Sequence, residues 1–121
     1  IRRFACGYVQ GVKHINPGAT VFQKMTGTTP AAWNDPARGG ELAKSMYDEG
    51  ADIVYAAAGG TGLGVLQAAA DNKKLSIGVD SNQNHIQSGS VLTSMLKRVD
   101  VASYEVFKTA NGGTWKSGIK S

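Results

Sequence analysis

Gly50-Ala51-Asp52-Ile53-Val54-Tyr55-Ala56-Ala57-Ala58-Gly59-Gly60-Thr61-Gly62-Leu63-Gly64 is the stretch on which the fold turns. From Asp52 to Ala58 it is an apolar run of strand length, the pattern of a strand covered by helices on both faces and therefore of a parallel sheet. Beyond Gly59 and Gly60 the period changes. A helix is expected from Gly62 to about Asn72, with Leu63, Leu66 and Ala69 or Ala70 inward. Leu75 to Val79 then reads as a second short buried strand that ends at Asp80.

Upstream, Asp35 followed by Pro36 is a cap and a first-turn proline. Leu42, Ala43, Met46 and Tyr47 give that helix its apolar stripe, and Gly50 stops it. Thr20 to Met25 alternates Val21, Gln23 and Met25 against Phe22 and Lys24, which predicts a strand. Ile1, Phe4, Ala5, Tyr8, Val9, Val12 and Ile15 recur at steps of three and four, so a helix opens the chain and Asn16-Pro17-Gly18 ends it. Downstream, a polar loop from Ser81 to Gly89 leads to a long stripe of Val91, Leu92, Met95, Leu96, Val99, Ala102 and Val106, read as the longest helix. Thr114 to Ser121 is expected to be an edge strand.

Helices alternating with strands give an α/β fold, here a three-layer sandwich with a mainly parallel sheet. At 121 residues the chain is expected to be a single α/β domain over 1–121. Its 41% apolar and 18% charged residues suffice for a core and exclude a disordered chain. The net charge of +4 is dispersed, with no basic stripe, so nucleic acid is not an expected partner. Cys6 is the only cysteine, which excludes an intramolecular disulfide and a cysteine zinc site. On the first helix beside core positions, it reads as an inert small hydrophobe. His14 and His85 have no acidic neighbour at ligand spacing, so no metal is expected. No run of about 18 apolar residues and no leader pattern is present, so a soluble chain without an address of its own is expected. Because Ile1 already lies in a helical pattern, the numbering is expected to begin inside a larger protein.

Ligands of open parallel sheets bind outside the carboxyl ends of the strands. Three loops gather there: Trp33-Asn34-Asp35, Gly59 to Gly64, and Asp80 to Asn84. They offer an aromatic plate, bare backbone N–H groups and a carboxylate, an inventory suited to a polar ligand with a flat ring. Trp33 could stack on a base or simply cover the sheet edge. The glycine run does not match the dinucleotide spacing, because the closest frames put Thr61 or Gln67 in a required place, nor a Walker A loop, since Val65 stands where lysine is required; a tight strand-to-helix turn that needs small residues is favoured over a phosphate cradle. Asp80 is either a partner for ribose hydroxyls or a turn cap. Lys97, by spacing, is a solvated lysine. No nucleophile elbow, nucleophile with a nearby histidine or pair of carboxylates in one segment appears, so neither an enzyme nor a cofactor is expected.

Gly50-Ala51-Asp52-Ile53-Val54, Ala57 to Gly64, Ile77-Gly78-Val79-Asp80-Ser81-Asn82-Gln83 and Val91 to Asp100 together closely resemble the basic membrane protein family. Phe4 to Gly11 and Trp33-Asn34-Asp35-Pro36 are similar as well, so the resemblance spans nearly the whole chain. The family comprises lipoprotein substrate-binding components of ABC transporters, among them purine nucleoside receptors. The resemblance implies one lobe, the carboxyl-terminal one, of a two-lobed type I periplasmic-binding-protein fold, with the first lobe and the lipid-bearing cysteine absent from these residues. It implies that Asp80 and Lys97 contact sugar hydroxyls, that the backbone of Gly59 and Gly60 approaches the ligand, and that Trp33 lines the cleft. Phe4 is placed on the hinge side. Implied partners are a purine nucleoside or similar solute, the missing lobe and a membrane permease; the implied location is the cell envelope, periplasmic or extracytoplasmic, with the full-length precursor membrane-anchored as a lipoprotein. Two other readings stand beside this one: a Rossmann-type nucleotide-binding enzyme fragment, in which Asp80 follows the glycines by about twenty residues, and a lobe that senses a ligand for a membrane signalling partner.

Overall fold

The computed structural model describes residues 1–119. Helix α1 (Arg2–Ile15) is followed by a long irregular segment and a 3₁₀ turn (Pro30–Trp33), then α2 (Pro36–Asp48), β1 (Ile53–Tyr55) and a second 3₁₀ turn (Gly59–Thr61). Next come α3 (Gly62–Asp71), β2 (Leu75–Asp80), β3 (Val91–Leu96) and α4 (Val99–Asn111). The three strands form one parallel sheet in the order β1-β2-β3, with Tyr55 opposite Ile77 and Gly78 opposite Ser94.

The centre of the molecule follows the sequence closely. Asp35 caps α2 by accepting the Arg38 N–H at 3.0 Å, and Pro36 occupies its first turn. Ala43 and Tyr47 on α2, Val54 and Ala56 from the first strand and its exit, and Val65, Ala68 and Ala69 on α3 make one buried cluster. Tyr47 also donates its hydroxyl to the Leu75 carbonyl at 2.9 Å, tying α2 to β2, and burial pushes its pKa up to about 12. Leu66 and Ala69 turn inward as expected, whereas Leu63 is exposed. The two helices meet through bare backbone. A Cβ on Gly39 would overlap the Thr61 carbonyl oxygen, and one on Gly64 would overlap that of Pro36. Side chains alternate along β1, so Tyr55 points away from the face that buries Val54. There its ring stacks on Tyr8 of α1 with centroids 5.2 Å apart. The three layers are thus the α2–α3 pair, the sheet and α1.

Four expectations are corrected. Thr20 to Met25 is not a strand. Strand propensity needs a partner ladder to act on, and here side chains tether the segment instead. Lys13 Nζ donates to the Pro17 and Ala19 carbonyls, and Lys24 Nζ donates to Ser45 Oγ at 2.6 Å and pairs with Glu49. Second, Val91 to Leu96 is strand β3, and α4 begins only at Val99. The apolar spacing fits both periods over so short a run, and the open edge of β2 decides between them by offering a parallel ladder. Third, Thr114 to Ile119 form no strand, while Lys120 and Ser121 lie outside the described residues. Fourth, α1 buries none of its residues, and Cys6 is exposed rather than set among core positions.

Candidate functional site

The loops that leave β1 and β2 at their carboxyl ends lie along one edge of the sheet, because parallel strands all point the same way. Two groups of residues form there. In the first, the 3₁₀ turn carrying Trp33 rests on the glycines that follow β1. Gly59 has φ +58°, a left-handed conformation that suits glycine, and a Cβ there would sit 3.1 Å from the Trp33 carbonyl oxygen and 3.3 Å from its indole Cε3. A Cβ on Gly60 would sit 3.1 Å from Asn34 Oδ1. The glycines therefore admit the tryptophan loop at backbone distance, which leaves the indole about half exposed at the rim.

The fastening of these two loops is Thr61, a residue within the glycine run whose type alone does not mark the role. Fully buried, its hydroxyl donates to the Ala32 carbonyl at 2.7 Å and accepts the Asp35 N–H at 2.8 Å. Thr61→Val keeps the shape and removes both bonds, stranding a buried acceptor and donor. We expect it to cost about 2 kcal/mol, read as a shift of the urea midpoint. A loss below about 0.5 kcal/mol, the scale of ordinary surface substitutions, would show that the hydroxyl does not hold the loops.

The second group is Asp80 with Lys97. Lys97 follows β3 directly, so the two strand ends place the residues side by side. Lys97 Nζ stands 2.7 Å from Asp80 Oδ1, and the Lys97 N–H donates to the Asp80 carbonyl at 2.9 Å. Lys97 is thus not a helical lysine in solvent; the strand assignment of Val91–Leu96 is what brings it to the carboxylate. Asp80 itself has φ +70°. Tyr55, at the end of β1, has its pKa raised by burial and then by the negative charge of Asp80. With Trp33 it also borders a cavity of about 1100 Å³ between α1, the 19–29 segment and α2. Tyr55 therefore stands in the field of the carboxylate and on the same cavity as the indole. Phe4 lies in the first turn of α1, half-buried. Arg98, next to Lys97, is engaged elsewhere: its guanidinium binds the Asp100 carboxylate and lowers that pKa to about 2.

Chemically, this edge carries a half-exposed carboxylate with an ammonium beside it, an indole face and glycine backbone. Among the described residues no three His, Cys, Asp or Glu side chains gather to hold a metal ion, and no helix is long and apolar enough to cross a membrane.

Fold and edge together define an α/β protein of the kind that takes ligands outside the carboxyl ends of a parallel sheet. More particularly, the chain belongs to the family described as ABC transporter substrate-binding protein PnrA-like, whose model matches residues 1–121. It is 35% identical over 113 residues to basic membrane protein D of Borreliella burgdorferi, covering 89% of this chain and 31% of that protein. Among solved structures, it is similar to an ABC transporter solute-binding protein from Aeropyrum pernix K1, with a TM-score of 0.73 and 32% identity over 97% of this chain and 33% of that one. A transcriptional activator of the comK gene from Bacillus halodurans gives a TM-score of 0.77 and 26% identity, covering 94% of this chain and 38% of that one. The chain spans about a third of the length of these relatives.

Proposed function

We propose that these residues form one lobe of a substrate-binding protein for an ABC importer, and that Trp33, Gly59, Gly60, Asp80 and Lys97 supply its half of a cleft for a purine nucleoside or a similar sugar-bearing heterocycle. The observation that carries the reading is the Asp80–Lys97 pair at 2.7 Å, held at adjoining strand ends. A vicinal diol complements such a pair, because the carboxylate accepts both hydroxyl protons while the ammonium donates to a hydroxyl oxygen. The indole offers its face to the ring, and the glycines let backbone come close. A second lobe closing over the ligand would exclude water and strengthen each of these contacts. Discrimination would come from polar groups that a wrong ligand leaves unpaired. In this reading the protein binds and hands over its solute without transforming it, lies outside the cytoplasmic membrane as a lipoprotein, and meets a membrane permease. The relative titled a transcriptional activator favours one variant, in which the closed lobes report the ligand to a signalling partner instead of delivering it.

The test uses the complete two-lobed protein that carries this chain. Mass spectrometry of the small molecules that copurify with it is expected to show a nucleoside, and titration with adenosine, guanosine and inosine to give micromolar or tighter binding. The 121-residue chain alone should bind no better than about millimolar, since one side of the ligand stays in water. A retained or titratable NAD with no nucleoside would overturn the reading in favour of a nucleotide-using enzyme fragment.

A further inference from the structure

We infer that Gln83 is a positioning residue for the Asp80–Lys97 pair: its side chain holds the strained turn that aims the Asp80 carboxylate, with Ser94 bracing Gln83 from β3. The inference rests on the role proposed above for Asp80, although its structural part can be decided separately.

The turn is unusual. Ser81 N–H donates to the Val79 carbonyl at 2.9 Å, a bond that spans a single residue, and that residue, Asp80, has φ +70°. These are the marks of a γ-turn of the left-handed, rare and strained kind. Aspartate tolerates a positive φ better than most side chains, yet such a conformation persists only where its surroundings impose it. Lys97 imposes part of it through the bonds described above, on the side of β3.

Gln83 acts on the opposite flank. Val79 lies two residues past the last β1–β2 register pair, Tyr55 with Ile77, where β1 no longer offers a carbonyl. Its N–H is taken instead by Gln83 Oε1 at 2.9 Å. Gln83 is itself fixed, since its own N–H donates to Ser94 Oγ at 2.9 Å, and that hydroxyl donates to Asn84 Oδ1 at 2.6 Å. Gly78 makes room for this: a Cβ there would lie 2.6 Å from Ser94 Oγ and 2.9 Å from both Cβ and Oε1 of Gln83. The 81–84 loop is thus folded back onto the end of β2, and the residue between its two anchors is Asp80. If only a turn were required, a β-turn of ordinary geometry would cost less. The extra fastening has its physical consequence in where the carboxylate points.

The experiment compares Gln83→Ala with Gln83→Glu, which keeps an oxygen at the accepting position. Amide hydrogen exchange and the Asp80 backbone coupling constant are followed by NMR in the 121-residue chain. In Gln83→Ala we expect the Val79 and Lys97 amides to exchange about tenfold faster, the scale of one net hydrogen bond, and the Asp80 coupling to move toward the value of a negative φ. Leu66 and Ala69 in α3 should be unaffected, and Gln83→Glu should restore the unmutated rates. If only the Val79 amide responds while Lys97 and the Asp80 coupling stay put, Gln83 merely finishes the strand and the positioning role is overturned. In the complete receptor, Gln83→Ala should weaken inosine binding about tenfold and Gln83→Glu much less; equal affinity of all three proteins would likewise overturn it. Failure of the unmutated receptor to bind inosine would count against the nucleoside reading alone, the exchange rates still deciding the clamp.

Discussion

Gly64→Ala is expected to destabilise the chain by about 3 kcal/mol or more, a large share of the 5–15 kcal/mol that holds a typical domain together. A Cβ at this position would overlap the Pro36 carbonyl oxygen and lie 2.7 Å from its carbon and 3.0 Å from the Gly40 nitrogen. All three atoms are backbone, so no rotamer change relieves the clash. Only a separation of α2 from α3 can do so, and that opens the layer in which Ala43, Val65 and Ala69 are buried. The neighbouring contact of Gly39 on Thr61 would open with it, loosening the fastening of the Trp33 loop. The comparison that isolates this cause is Gly11→Ala, in the interior of α1, where a Cβ meets nothing within 4 Å. There alanine should stabilise the helix by about 0.5–1 kcal/mol. Urea unfolding followed by circular dichroism measures both. Equal midpoints for Gly64→Ala and the unmutated chain would mean that the helices do not meet at backbone distance.

That contact also shows how far sequence reaches. The glycine run was legible as a tight strand-to-helix turn because small residues after an apolar strand have few other uses. What made it necessary, the approach of Pro36 from 28 positions upstream, has no local signature. The same holds for the strands. Asp52 to Ala58 and Leu75 to Val79 read as strands because a short, mostly apolar run closed by Gly or Asp fits little else, although the first strand is confined to Ile53–Tyr55. Val91 to Leu96 fitted a helix as well as a strand, and the free edge of β2 settled it. Thr20 to Met25 has the composition of a strand and lacks a partner to pair with.

In the site, Asp80 was conspicuous as a carboxylate closing an apolar strand, and Trp33 as an aromatic in a loop at the same edge. Lys97 is concealed by the ambiguity of Val91 to Leu96, since on a helix it is one solvated lysine among several. Only the resemblance to a family singled it out, and the parallel ladder of β3 explains how it reaches Asp80. Thr61 lies within the glycine run, and Gln83 within the Asp80–Asn84 loop and the family-like stretch, yet neither residue type by itself shows its role, because that depends on which polar groups the fold brings to its side chain.

The pair at the strand ends yields the second large effect, and it should separate binding from stability. Asp80→Asn keeps the size of the side chain and its tolerance of a positive φ while removing the charge. Both partners of the ion pair are about half exposed, at 43% and 53%, so its loss should change folding stability by no more than about 1 kcal/mol. Ligand binding should behave differently. Once a second lobe has excluded water, the carboxylate no longer competes with solvent for the two hydroxyl protons, and Asn offers one neutral acceptor in place of an anion. A loss on the order of 2 kcal/mol, about thirtyfold in affinity, is expected for inosine in the complete receptor. Lys97→Met in the same protein should also weaken binding, and should leave Asp80 without its partner in both the free and the bound state. If Asp80 and Lys97 act on the ligand together, the double variant should lose less than the sum of the single losses. Calorimetric titration of the four proteins closes the cycle. An unchanged isotherm for Asp80→Asn would remove the carboxylate from the site, and strictly additive losses would mean that the two groups meet the ligand independently rather than as one acceptor–donor pair.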